Sequence, residues 1–204
     1  PGNAVTNAGK PIRTIAMQSD ANEKPTILKS GTLEFFVIDR VGKLGVRVRD
    51  SEHPARRAFK GIERFPVSVD WVMDAKFEPY VPVHHIDIVN ILGMTESMVA
   101  PGALVFEKDG KTYRLDAILE APDDKELFIM FADATSARET YGAGRFIYIP
   151  LPSNGRAALD FNRAYNPPCA FNDFATCPLP PKQNRLPLRV TAGEKKYDMS
   201  GNMH

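Results

Sequence analysis

Between Asp133 and Arg185 the chain gathers side chains suited to holding an anion. DATSARETYGAGR (133–145) opens the strand sequence RFIYIPL, and DFNRAYNPPCAFNDFATCPLPPKQNR (160–185) follows. The guanidinium groups of Arg145, Arg163 and Arg185 would grip a carboxylate or phosphate through paired hydrogen bonds. The amides of Asn162 and Asn166 would complete the shell, with Tyr141 or Tyr165 covering one side. Gly142 and Gly144 would let the backbone approach closely. Asp160 and Glu139 are the carboxylates to serve as general base if the site were hydrolytic. The same residues have a plainer use. A proline-rich segment crossing a sheet must satisfy its backbone polar groups without a ladder, and Asn, Asp and Arg side chains do so. On that reading Asp160–Arg163 and Glu139–Arg145 are structural ion pairs.

Other chemistries find less support. Cys169 and Cys177 have seven residues between them. Structural zinc would want four ligands with close cysteine pairs, so no metal is expected. A disulfide and two buried thiols remain alternatives. His84 and His85 are neighbours on a strand sequence, so they point to opposite faces and would not share a metal. Gly110-Lys111-Thr112 ends like a phosphate loop, but Val105 stands where its first Gly belongs. Gly142-Ala143-Gly144 leads into a strand, which offers no helix N-terminus to a pyrophosphate. GxSxG and HExxH are absent. No cofactor is called for.

Composition narrows the partners. The 204 residues carry 26 basic and 25 acidic side chains, a net charge of +1. That balance gives no electrostatic case for nucleic acid or an anionic membrane surface. No apolar run approaches the roughly 20 residues of a spanning helix. The chain starts at Pro1, not Met. We therefore expect it to have been trimmed, and a leader lost in that step leaves the compartment open between cytoplasm and periplasm or exterior. The sequence does not speak to oligomeric state.

The elements that must position these residues are short strands. The 17 prolines and 14 glycines favour turns over long helices. Arg13–Gln18 is a strand candidate. Thr32–Arg49 reads as a hairpin whose second arm alternates Leu44, Val46 and Val48 with Arg47 and Arg49, one face covered and one wet. Asp50–Lys60 is a short helix capped by Asp50 or Ser51. Trp71–Tyr80 is a strand ending at Pro79, and Val83–Leu92 is another. Asp109-Gly110 turns a second hairpin over Ala103–Ala121. Leu127–Ala132 suits a strand covered on both faces. Arg145–Leu151 and Ala157–Phe161 form a last pair around Ser153-Asn154-Gly155, and Leu186–Val190 adds one more strand. Pro1–Lys10 and the tail from Gly193 are expected to be loosely ordered. About ten short strands with frequent turns and one or two short helices give an all-β, mainly antiparallel sandwich or barrel with a proline-rich C-terminal loop. The chain is expected to be one β domain, with the main sheet over residues 51–204.

At these residues the chain resembles a known family. DATSARETYGAGRF, LDFNRAYNPPCAF, ATCPLPPKQNRLPL and AGEKKY are similar to a bacterial family catalogued as a domain of unknown function (number 1684). GTLEFFVIDRVGKLGVRVRD, HPARRAFKGIERFPV and WVMDAKFEPY look like the same family, so the resemblance runs from about Thr32 to Tyr197. It implies no reaction, because the family has none assigned. It also implies an additional N-terminal portion with a stretch resembling the phosphopeptide-binding forkhead-associated sandwich, a portion either missing here or remaining only as residues 1–50. Members with and without lipoprotein-type leaders leave the compartment open.

Three functions follow as expectations. The first is a non-catalytic module for a small anionic or polar ligand, held by Arg145, Asp160, Asn162 and Arg163 with Glu139, Tyr141, Tyr165, Asn166 and Arg185 near them. The others are a structural or interaction domain of an envelope protein, and a hydrolase using Asp160 or Glu139.

Overall fold

The computed structural model describes residues 4–40 and 42–197. The expectations for Pro1–Asn3, for Val41 and for Asp198 onward fall outside those residues. Its fold class is the expected one. The described residues form eleven strands in antiparallel sheets, one short α-helix and four 3-10 turns. They divide into two compact units, one running to Lys60 and the next beginning at Gly61.

The first unit is a single sheet of Thr6–Asn7 (β1), Lys10–Pro11 (β2), Leu28–Ser30 (β3), Leu33–Arg40 (β4) and Lys43–Asp50 (β5), in the order β2-β1-β3-β4-β5. Residues 4–10, expected to be loose, thus include paired strand. Arg13–Gln18 forms no strand. The β4–β5 hairpin forms where the alternation places it, but the apolar row of its second arm is not covered. Leu44, Val46 and Val48 are 72%, 66% and 56% exposed. On the other face Arg49, itself exposed, lies 5.0 Å from the Phe36 ring centroid and pairs with Glu34. The unit has one sheet, so the apolar row of its edge strand finds no second layer within the unit. The helix is Pro54–Ala58 (α1). Its cap is His53, whose ring nitrogen accepts from Ala55 N–H, and not Asp50 or Ser51.

The second unit is a six-stranded sheet of Val72–Val89 (β6), Thr95–Lys108 (β7), Lys111–Leu119 (β8), Glu126–Phe131 (β9), Arg145–Pro150 (β10) and Arg156–Asp160 (β11). The order is β10-β9-β8-β7-β6-β11. Asp109 and Gly110 both take positive φ, the conformation a tight two-residue hairpin requires, and they join β7 to β8. β6 does not stop at Pro79. It runs on to Val89, and its pairing with β7 is irregular between Pro79 and His84. β10 and β11 do not pair with each other. They occupy the two edges of the sheet, and the short turn between them brings the edges round into a nearly closed barrel.

Period-two alternation then sorts the side chains. Leu104, Phe106, Leu115, Ile129, Phe131, Ile147, Leu159 and Phe161 fill the barrel interior with Trp71. Each fully buried aromatic such as Phe131 contributes about 2–3 kcal/mol from area removed from water. The opposite face bears Ile118, Phe128, Met130 and Phe146, and Cys169, Ala175 and Cys177 of the proline-rich segment cover it. Leu186–Val190 adds no strand. It is pinned locally, with Leu186 N–H donating to Ala132 O at 2.8 Å and Ala134 N–H to Leu188 O at 2.9 Å. Gly193 and Glu194, expected to fray, are firmly packed. A Cβ on Gly193 would sit 2.6 Å from Ala164 O, and its φ is +74°.

Candidate functional site

The residues singled out above do not converge on one concave site, because most of them hold chain segments together. Arg145 is 1% exposed. One guanidinium nitrogen donates to Asp133 Oδ1 at 3.3 Å and to Val190 O at 3.1 Å. The other donates to Ala192 O and Glu194 O, and the group lies 5.2 Å over the Phe131 ring. Burial pulls this guanidinium below its ordinary value while Asp133 and Glu194 oppose the change. Its ion-pair partner is Asp133, not Glu139. Glu139 pairs instead with Arg189 at 2.5 Å.

Asp160 caps the 3-10 turn Phe161–Arg163, accepting from Asn162 N–H at 2.9 Å. Asn162 exchanges two hydrogen bonds with the Ser68 backbone, at 2.9 and 3.1 Å. Arg163 is exposed and is not the partner of Asp160. Asn166 N–H donates to Glu194 Oε2 at 2.7 Å, and its side-chain amide donates to Lys195 O at 2.8 Å. Tyr141 donates to Cys169 O at 3.1 Å, and burial pushes its phenol up. Tyr165 pairs its backbone with Phe146, and its own phenol is pushed up to about 12, chiefly by burial. Cys169 and Cys177 are buried thiols not joined by a disulfide. Cys169 N–H lies 3.1 Å from Cys177 Sγ. Gly144, with φ +99°, meets Phe131 O and Pro180 Cγ within 2.7 Å of an ideal Cβ. Close backbone approach is needed there, but for packing.

Of the expected ligand set, Arg185 alone lines a cleft found in the second unit. This cleft has a volume of about 620 Å³. One wall is the last part of β6, His84, Ile86, Asp87 and Val89. The other is the strap Leu179–Arg185, and Asp116 of β8 sits between them. Asp116 shares a sheet face with Arg114 because they stand two positions apart along a strand, with Leu115 between them. Tyr80 donates to Asp116 Oδ1 at 2.6 Å, and Arg114 donates to the Tyr80 hydroxyl at 3.3 Å and to Glu78 at 2.5 Å. Burial, followed by the Asp116 hydrogen bond, raises the Tyr80 phenol. His84 stacks on the Tyr80 ring at 3.9 Å.

The strap is fixed by Asn184, which is fully buried. Its Oδ1 accepts from Asp116 N–H at 2.7 Å, and its Nδ2 donates to Asp116 O and Met130 O at 2.9 and 2.8 Å. Lys182 and Arg185 project from this anchored strap, are exposed, and form no ion pair among the described residues. Sequence reasoning missed Asp116, Tyr80, His84 and Lys182. A signal for Asp116 exists, as an acid set inside the apolar strand sequence RLDAIL.

Among solved structures, the chain is similar to the solution structure of an uncharacterized protein from gene locus rrnAC0354 of Haloarcula marismortui. The two share 32% identity over 69% of this chain and 78% of that one, with a TM-score of 0.58. Comparison with curated proteins gives no match. The model of the family described as "Protein of unknown function (DUF1684)" matches residues 57–195, a span that holds β6 to β11, the strap and every residue of the cleft. The chain belongs to this family of proteins of unknown function.

Proposed function

We propose that this chain is a non-catalytic binding module for a small polar ligand carrying an anionic group, seated in the cleft between β6 and the Leu179–Arg185 strap. The observation that carries this reading is the pair of uncommitted cations, Lys182 and Arg185, held by a rigid strap opposite a carboxylate that is itself fixed by Tyr80. Such a cleft has the volume of an ordinary ligand pocket, with Ile86, Val89, Leu179, Pro180 and Pro181 set among charged and polar groups. The ligand's anion meets Lys182 and Arg185, and a hydroxyl, amide or ammonium on it meets Asp116. The ligand-binding role is thereby moved from Arg145, whose donors are spent on the chain itself.

The test is calorimetric titration with a panel of dicarboxylates, sugar acids and phosphates. Saturable binding that weakens at least about tenfold in Lys182→Ala/Arg185→Ala supports the reading. Binding that ignores both residues defeats it.

A second reading, an interaction domain, has its own observation in the exposed apolar row Leu44, Val46 and Val48 of the edge strand β5. It predicts self-association or partner capture that Val46→Lys abolishes. The hydrolase reading draws no support from Asp160 or Glu139, since one is spent on a turn and the other on Arg189.

A further inference from the structure

The cleft borders an open strand edge. Within a strand, a residue's N–H and C=O point the same way and successive residues alternate. Asn90 N–H donates to Met94 O, so even-numbered residues here face β7. Val89 O accepts from Leu179 N–H at 2.8 Å, and Ile91 N–H donates to Cys177 O at 3.0 Å, so odd-numbered residues face away. His85 and Asp87 therefore direct their backbone groups outward. β11 pairs with β6 between Val72 and Lys76, and no backbone hydrogen bond reaches the outward groups of His85 or Asp87 among the described residues.

The chain already adds a strand to the end of this edge. Cys177–Leu179 runs antiparallel beside Val89–Ile91, with Asn90 opposite Pro178. Pro180 and Pro181 then follow, and neither has an N–H to continue the ladder. The strap turns away into the 3-10 turn Lys182–Asn184, and the space it leaves beside Ile86–Val89 is the cleft.

We infer that an extended peptide segment with an acidic side chain occupies this space as an added strand on β6. This rests on the cleft being the ligand site, as proposed above. The peptide backbone pairs with His85 and Asp87, taking up ladder groups that the protein leaves open. Its acidic side chain lies against Lys182 and Arg185 on the facing wall, which supplies the charge complementarity. Its next side chains rest on Ile86, Leu179 and Pro181.

The test uses fluorescence anisotropy with labelled peptides of roughly five residues, the span of this edge. Each is acetylated and amidated, has a central Glu, and is otherwise a defined mixture. Two further sets carry N-methyl groups at alternate positions, and glutarate and inorganic phosphate are titrated in parallel. We expect saturable peptide binding, lowered about tenfold by one N-methylation pattern and unchanged by the other, since one set of amides faces β6. Lys182→Ala/Arg185→Ala weakens it, and amide exchange at His85 and Asp87 slows in the complex. Glutarate or phosphate binding without peptide binding overturns the peptide assignment and leaves the cleft reading standing. Peptide binding that is blind to both N-methylation patterns, with exchange at His85 and Asp87 unchanged, overturns strand addition. No binding by any probe overturns both.

Discussion

The Tyr80 hydroxyl and Asp116 Oδ1 lie 2.6 Å apart, joining the long strand β6 to β8 across the intervening β7. Asp116 is 7% exposed, so this donor compensates a carboxylate largely withdrawn from water. Tyr80→Phe keeps the ring that stacks on His84 and deletes the donor. It should lower stability by about 1–2 kcal/mol in urea unfolding. It should also weaken cleft ligands, because Asp116 loses its fixed orientation. An unchanged urea midpoint would show that the hydrogen bond contributes nothing net.

Alkaline pH should destabilise the fold through its buried tyrosines. The Tyr165 phenol stands at about 12 in the folded chain against an ordinary 10.0, and Tyr141 and Tyr148 move in the same direction. The folded state thus holds these protons more tightly than the unfolded state. That stability is complete below about pH 10 and is lost as pH climbs toward 12. Urea midpoints measured across this window should fall in the parent and fall less steeply in Tyr165→Phe. Parallel curves would refute the assignment.

Arg145→Met should cost about 3–5 kcal/mol, since it leaves the Asp133 carboxylate buried without its cation and releases Val190–Glu194. Adding Asp133→Asn should recover part of the loss. Thermal unfolding of the two variants checks this, and an additive further loss would contradict it.

Asn184→Ala should cost roughly 2–3 kcal/mol, because three hydrogen bonds at a fully buried position go at once. The strap would then part from β8, so exchange at Asp116 N–H should rise well above that of its strand neighbours. Protection unchanged at Asp116 would mean that the strap is held by other contacts.

The strands were largely legible because alternation and turn chemistry are local. Asp109-Gly110 sets its hairpin from two residues, and LFIMFA announces a strand covered on both faces. The β10–β11 pairing was misjudged for the same reason. A short turn such as Ser153-Asn154-Gly155 normally closes a hairpin, and whether it instead joins the two edges of a curling sheet depends on strands far away in the chain. Pro79 was read as a strand end because proline lacks a donor. Here it sits on the side of β6 away from β7, where no donor is demanded.

The sequence by itself determined the all-β class, the β4–β5 and β7–β8 hairpins, the proline-rich strap and the family, since each resides in residue types at short spacing. The tertiary structure decided which polar residues are spent and which are available. Arg145 and Arg185 are chemically alike side chains. Burial against Asp133 and three backbone carbonyls consumes the first, while the second stands at the rim of a cleft. Asp116, Tyr80 and His84 meet only because β6, β7 and β8 lie side by side. A hydrogen bond between residues 36 positions apart has no local signature, so the site became visible only when the sheet closed around it.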